Sequence, residues 1–328
     1  MQHAALVHEL RETIERTLRP LLAGARAVAL LDHPNHWNVG DSAIWLGETA
    51  FLRGLGIRRP AYAADRYTCS EETLRRRIGD GPILLSGGGN LGDLWGDHQA
   101  LRERIVRAFP DNPIVQLPQS IHFRERSNLE RARAVFDAHP RLVLLVRDTR
   151  SLEIAQNEFR ARALLCPDMA LYLGALERPV QPSRDVLVLL RSDHESRLGR
   201  TPRPAAREGP VDWRQEERTL GVRLQEALRE PLVRGARDPG WRWRALAATY
   251  EPVARGRLRR ALGSLASARR VVTDRLHGHI LCLQLGIPHV LVDNSYGKLR
   301  AFHETWTKGS DLVTWCETHE QALTEAGR

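Results

Sequence analysis

With 42% apolar and 27% charged side chains, the 328 residues have the mix of a folded globular protein and the length for two ordinary domains. The formal charge of +9, from 49 Lys and Arg against 40 Asp and Glu, fits a nucleic acid, an acidic membrane surface or a small anionic substrate. No basic stripe with interleaved aromatics and no nucleic-acid-binding motif occurs, and no apolar run approaches the ~20 residues of a membrane span, so nucleic acid and a transmembrane role are set aside.

The N-terminal stretch MQHAALVHELRETIERTL places Leu6, Leu10, Ile14 and Leu18 at helical spacing among acidic residues, which predicts a helix rather than a signal peptide. Short apolar runs then alternate with helical patterns. The runs are RAVALLDH (26–33), PILLSGGG (82–89), PIVQLPQS (113–120), RLVLLVRD (141–148) and ALLCPD (163–168), with helices expected around 42–54, 98–108, 127–138 and 150–159. Runs that are continuously apolar rather than alternating belong to a parallel sheet covered on both faces. A second series follows as DVLVLLRSD (185–193), ARRVVTDR (268–275), PHVLVDN (288–294) and DLVTW (311–315). The fold expected is therefore α/β with two doubly wound domains, 1–176 and 177–328, joined through the proline-bearing linker LERPVQPSR (176–184). The second carries an Arg/Pro-rich insert at 194–245, predicted to hold a helix near 214–229 and otherwise loops. Four dispersed cysteines, Cys69, Cys166, Cys282 and Cys316, have no metal-ligand spacing and are expected to be reduced thiols of a cytoplasmic protein that could still visit a membrane surface.

Ligands of open α/β sheets sit at the carboxyl ends of the strands. Three motifs lie there. GGGNLG (87–92) satisfies G-x-G-x-x-G, but the next strand ends in Gln119 and Ser120 rather than the acid that a dinucleotide ribose requires, so a tight glycine turn lining a cleft is the better reading. DHPNHWNVGD (32–41) holds Asp32, His33, His36 and Asp41, yet a His-x-x-His in a proline loop fixes no coordination geometry. A turn into a helix capped by Asp41 or Ser42 fits better, with Asn38 and Asp41 available to a substrate. Ser86 lacks a G-x-S-x-G elbow and has no evident base in sequence. The third motif, TDRLHGHI (273–280), joins a strand end to a helix start. Arg275 is a fork for carboxylate or phosphate, His277 can exchange a proton near neutrality, and Gly278 lets a ligand approach the backbone. His279 faces away from His277 on a helix and is read as structural. On residue chemistry alone, an anion site and an Asp-Arg pair beside a capped helix stand equal.

The ordered set Asn38-Val39-Gly40-Asp41, Gly87-Gly88-Gly89, Pro118-Gln119-Ser120, Arg147-Asp148 with Ser151, Cys166-Pro167-Asp168 and Asp274-Arg275-Leu276-His277-Gly278 resembles the polysaccharide pyruvyltransferase family over about residues 30 to 305. The resemblance implies two Rossmann-like domains facing a cleft, similar to the GT-B arrangement. It also implies transfer of a pyruvyl group from phosphoenolpyruvate to two hydroxyls of a saccharide, lipid-linked or not, as a cyclic ketal. Carried onto this sequence, it places Arg147, Arg275, Leu276 and His277 at the donor; the residue chemistry adds Gly278 there and suggests His277 as acid, Arg275 and Arg147 as anchors of the two anionic ends and Asp41 as base. Asn38, Gly88, Gly89, Asn90 and Gln119 are expected to contact the acceptor or line the cleft, Asp274 to orient Arg275 and Asp168 to cap a helix. The scheme calls for no metal and no cofactor. Two rivals are a GT-B glycosyltransferase with a nucleotide-sugar donor and a non-catalytic sugar- or anion-binding module.

Overall fold

Most strands of the first sheet grow from short apolar runs flanked by helix or turn signals, and in the computed structural model the strands pair in parallel. It describes residues 3–36, 38–191, 230–233, 241–293 and 297–327. The strands are β1 (Ala29–Leu31), β2 (Tyr62–Ala64), β3 (Ile83–Leu85), β4 (Gly88–Gly92), β5 (Ile114–His122), β6 (Leu142–Val146) and β7 (Arg162–Leu165). They pair in the order β2-β1-β3-β5-β6-β7, with β4 added alongside β5. Between them run α2 (Val39–Gly54), α3 (Glu71–Ile78), α4 (Gly96–Ala108), α5 (Arg126–Phe136) and α6 (Thr149–Glu158), after an N-terminal α1 (His3–Leu18). All three residues of β1 are fully buried, as expected of a strand covered on both faces. Each such leucine is worth about 1.5–3 kcal/mol of burial.

The second sheet contains β8 (Arg184–Leu189), β9 (Ala268–Thr273), β10 (His289–Val292) and β11 (Val313–Cys316), parallel in the order β11-β10-β9-β8. Residues 174–183, between the two sheets, form neither helix nor strand. The chain is thus a mixed α/β protein of two Rossmann-like parallel sheets. Further helices among the described residues include α7 (Arg242–Ala266), α8 (Leu276–Leu285), α9 (Lys298–Phe302) and α10 (His319–Ala326). No helix among the described residues is long and apolar enough to cross a membrane. All four cysteines are buried thiols.

Three sequence expectations change. GGGNLG is not a turn: Gly88–Gly92 is itself a strand, in which glycine permits close approach to β5. A Cβ on Gly92 would lie 1.8 Å from the His122 carbonyl oxygen. The expected loops at the end of the 194–245 segment give way to α7, which starts at Arg242 and runs to Ala266 through Pro252. This helix packs on α2 and on the loop before it: Arg53 Nη1 meets Glu251 Oε2 at 2.9 Å, while Tyr250 stacks on His33 at 3.7 Å and Arg257 donates to the Pro34 carbonyl at 3.1 Å. The helix expected near 214–229 lies outside the described residues. Third, α2 begins at Val39 and its cap is Asn38, not Asp41 or Ser42.

Candidate active site

Strand ends from both sheets line one cavity of about 630 Å³, within the size range of small-ligand sites. On the side of the first sheet it is bordered by Asn38, Asp41, Gly89, Asn90 and Arg147, and on the side of the second by Arg191, Arg275, Leu276, His277 and Lys298. The switch in strand order, β1 having β2 on one side and β3 on the other, places the loops after β1 and β3 at this edge.

The N-x-G-D motif has a distinct use for each residue. Asn38 Oδ1 accepts the Gly40 N–H at 3.1 Å and caps α2, while Asn38 Nδ2 donates to Asp41 Oδ2 at 2.8 Å. The cap therefore aims the Asp41 carboxylate, which also lies 3.4 Å from His36 Nε2. Gly40 and Gly47, two turns apart, share one face of α2. A Cβ on Gly40 would sit 2.0 Å from His277 Nδ1, and one on Gly47 would sit 1.8 Å from the Met169 carbonyl oxygen. Bare glycine backbone is what lets α2 approach both the helix that carries His277 and the 3-10 turn Met169–Leu173.

Arg147 follows β6 and is almost wholly buried. Its Nε donates to Ser120 Oγ at 2.9 Å and its Nη1 to Asp168 Oδ2 at 2.7 Å, while Trp306 Nε1 holds its carbonyl at 2.8 Å. Its Nη2 turns toward Gly89, 2.8 Å from where a Cβ there would stand. Ser120 in turn donates to Asp148 at 2.7 Å, and Asp148 caps α6 through the Ser151 N–H. The Pro-Gln-Ser and Arg-Asp-x-x-Ser motifs thus form one brace for a guanidinium.

Asp168 does more than the capping expected of it. Oδ1 accepts the Ala170 N–H at 2.9 Å, as a cap would, but Oδ2 also stands 3.4 Å from His277 Nε2. Burial by itself would raise its pKa. The charges of His277 and Arg147 and the Ala170 N–H outweigh burial and hold the carboxyl well below its usual range, so Asp168 stays ionised. With Nε2 turned to this buried anion, the other ring nitrogen of His277, Nδ1, lies against Gly40.

Other sequence-selected residues fall behind the cavity wall. Gln119 is fully buried and spends its amide on Ser86 O at 3.1 Å, Asn90 Oδ1 at 2.8 Å and the Asn90 N–H at 3.0 Å. Gly88 is buried as well, with a positive φ of 134°. Both shape the strand that presents Gly89 and Asn90 instead of lining the cleft. Gly278 also lies behind the wall: its Cβ would be 2.6 Å from Thr273 Oγ1, so the glycine serves the packing of α8 on β9 rather than a ligand's approach. Asp274 Oδ1 takes the Arg191 N–H at 2.9 Å and fastens the ends of β8 and β9 together. Burial pushes its carboxyl up to about 6, against the lowering charges of Arg275 and Arg191.

His279 is fully buried in a polar chain. His289 Nδ1 lies 2.7 Å from the Ile287 carbonyl, which can only accept, so His289 Nε2 accepts from His279 Nδ1 at 2.7 Å. His279 Nε2 then accepts from the Thr307 hydroxyl at 2.9 Å. Burial lowers His279 well below the usual histidine value and His289 to about 4, which keeps both neutral and the chain one-directional.

Ser86 has a partner that sequence order concealed. Its Oγ lies 3.0 and 2.9 Å from the two carboxyl oxygens of Glu48, which also receive the Gly87 N–H at 2.8 Å. Burial lifts Glu48 from its usual 4.5 to about 8, the bonds from Gly87 and Ser86 opposing and the charges of Asp168 and Asp32 adding. Between pH 4.5 and about 8 the folded protein therefore holds a proton that the unfolded chain has released, and this group's contribution to stability falls as pH rises through that window. Glu48→Gln keeps the bonds and cannot ionise. Its melting temperature relative to wild type is expected to climb between pH 5 and pH 8, by thermal unfolding; a pH-independent difference refutes the assignment.

Residues 38–296 match the family described as polysaccharide pyruvyl transferase. The chain belongs to that family. Pyruvyl transferase 1 of Schizosaccharomyces pombe is 35% identical over 305 residues, covering 88% of this chain and 72% of that protein. EpsO of Bacillus subtilis is 34% identical over 285 residues, covering 85% of this chain and 84% of its own length. Among solved structures, an uncharacterised protein from Klebsiella pneumoniae superposes with a TM-score of 0.60 at 15% identity, over 94% of this chain and 99% of that one, a likeness of fold alone. Family membership makes the chain a transferase.

Proposed function

We propose that this pyruvyl transferase moves the pyruvyl group of phosphoenolpyruvate onto two hydroxyls of a saccharide, forming a cyclic ketal and releasing phosphate. The observation that carries this reading is the convergence of Arg147, Arg275 and His277, from both sheets, on one cavity. A donor with a carboxylate and a phosphate needs several cationic groups, and here they stand beside a proton donor. The two sheets then act as facing domains in a GT-B-like manner, 1–176 presenting the acceptor and 177–328 the donor.

His277 protonates the donor's methylene carbon, leaving an oxocarbenium-like centre at the adjacent carbon. A sugar hydroxyl attacks that centre and gives its proton to Asp41, which Asn38 holds in place. Phosphate departs, a second hydroxyl closes the ring, and its proton leaves with the phosphate. Arg275 and Arg147 hold the two anionic ends of the donor, and the scheme draws on no metal or cofactor. The acceptor is a saccharide of cell-surface polysaccharide synthesis, handled in the cytoplasm or at the inner face of the membrane.

The test is incubation of the purified protein with phosphoenolpyruvate and a panel of acceptor glycosides, followed by phosphate assay and mass spectrometry. Phosphate release matched by an acceptor carrying a pyruvyl ketal is expected. Product formation from a nucleotide-sugar and not from phosphoenolpyruvate would sink the reading in favour of a glycosyltransferase. Donor binding without product would leave a binding module.

A further inference from the structure

Directly after α9 the chain makes a single π-helical turn, His303–Thr307. Such turns are rare and concentrate at functional sites. This one is fastened on two sides. On the inner side Thr307 is fully buried, and its hydroxyl donates to His279 Nε2 at 2.9 Å. The same oxygen must then accept from His303 Nδ1 at 2.9 Å, which extends the buried histidine chain by one member and ties both ends of the turn into the second sheet's core. The His303 ring also lies parallel to Trp315 of β11, with centroids 5.6 Å apart.

On the outer side the turn reaches the first sheet. Trp306 Nε1 donates to the Arg147 carbonyl at 2.8 Å, and Thr305 Oγ1, which itself donates to the Ala301 carbonyl at 2.6 Å, accepts the Thr149 N–H at 3.2 Å. Thr149 is the first residue of α6, where backbone N–H groups find no partner inside the helix. The turn thus offers a donor on one side of Asp148 and an acceptor on the other. The side chain of Arg147 is braced from within the first sheet, by Ser120 and Asp168, while its main chain is braced from the second. Sliding one sheet against the other would break both cross-sheet bonds and release the main chain that sets where the guanidinium stands.

We propose that the π turn is a latch between the two sheets and that Trp306, with Thr305 beside it, is the positioning residue for Arg147. Trp306 is not part of the cavity wall and acts through the Arg147 main chain. The consequence for turnover rests on Arg147 holding phosphoenolpyruvate; the latch itself does not.

Trp306→Phe keeps an aromatic ring and deletes the N–H, and Thr305→Val keeps the branched shape and deletes the hydroxyl. In each, steady-state kinetics is expected to show a KM for phosphoenolpyruvate about 5- to 10-fold higher, the loss of one hydrogen bond, with kcat and the acceptor's KM within about twofold. A role in folding alone would lower kcat through the folded fraction and leave both KM values in place. Hydrogen exchange on the full chain without substrate gives a readout independent of the donor. The Thr149 amide is expected to exchange about tenfold faster in Thr305→Val, and residues 147–151 faster in Trp306→Phe, while β1 and β3 stay protected and show both variants to be folded. Unchanged exchange at 147–151 in both variants overturns the latch. Faster exchange there with an unchanged donor KM overturns Trp306 as a positioning residue. If wild type turns over no phosphoenolpyruvate, the donor reading falls and the exchange result decides the latch.

Discussion

His277→Ala is expected to lower turnover at saturating donor by about 10²- to 10⁴-fold, the usual cost of losing a positioned proton donor. The ring lies in a nearly closed space, with Nε2 3.4 Å from Asp168 and Nδ1 against Gly40. Removing it leaves Asp168 with Arg147 as a counter-charge, so the fold should survive and the donor's affinity should change far less than turnover. Asp168→Asn separates the two functions of that carboxylate. It keeps the Ala170 cap but removes the charge facing both His277 and Arg147, which for a buried pair costs about 3–5 kcal/mol. Because the folded Asp168 pKa is depressed, this stabilisation is present above the ordinary carboxyl range and is lost only as pH falls below it. Thermal unfolding at neutral pH should therefore show a large deficit in Asp168→Asn and a small one in His277→Ala, while steady-state turnover falls in both. Near-wild-type turnover in His277→Ala would falsify the assignment of the acid.

The sequence made the sheets legible because a strand buried on both faces has to be continuously apolar, and β1, β3 and β6 are. Where that condition weakens, so does the signal. Strand β2 is three residues between Pro60 and Asp65, and α3 is a charged EETLRRRI with Leu74 and Ile78 as its buried apolar residues. Helix α7 was hidden by its arginines and Pro252, because its apolar residues face α2 of the first sheet rather than a neighbour in sequence. GGGNLG carried the composition of a turn but the structure of a strand, a distinction set by its contact with β5 and absent from its own residues.

Asn38 and Asp41 stood out together because they share one short motif, although the cap of α2 fell to Asn38 and not to Asp41. Residues that act across the fold did not stand out. Asp168 earns its second partner only when α8 reaches the turn at Met169–Leu173, which Gln284 secures by donating to Ala170 O at 3.0 Å and Gly174 O at 2.9 Å. Glu48 meets Ser86 only because α2 lies under the end of β3.

Gly40→Ala is expected to cost turnover nearly as much as removing His277, without touching any group that reacts. The new methyl would stand 2.0 Å from Nδ1 and 2.4 Å from Cγ of His277, well inside any tolerated contact. Either the ring leaves its place or α2 retreats. Retreat is obstructed along the same helix face by α2's contact with the turn that Asp168 caps, so the side chain is the part that yields. Overpacking of this kind costs about 1–3 kcal/mol, enough to lower the melting temperature but not to unfold a protein of ordinary stability. Gly263→Ala, inside α7 with nothing within 4 Å of its Cβ, supplies the contrast and should be neutral or stabilising by up to about 1 kcal/mol. Turnover that survives in Gly40→Ala would mean that His277 reacts from a different rotamer, with Nδ1 away from α2. A fall in turnover with donor binding intact would tie the N-x-G-D glycine to the placement of one imidazole nitrogen.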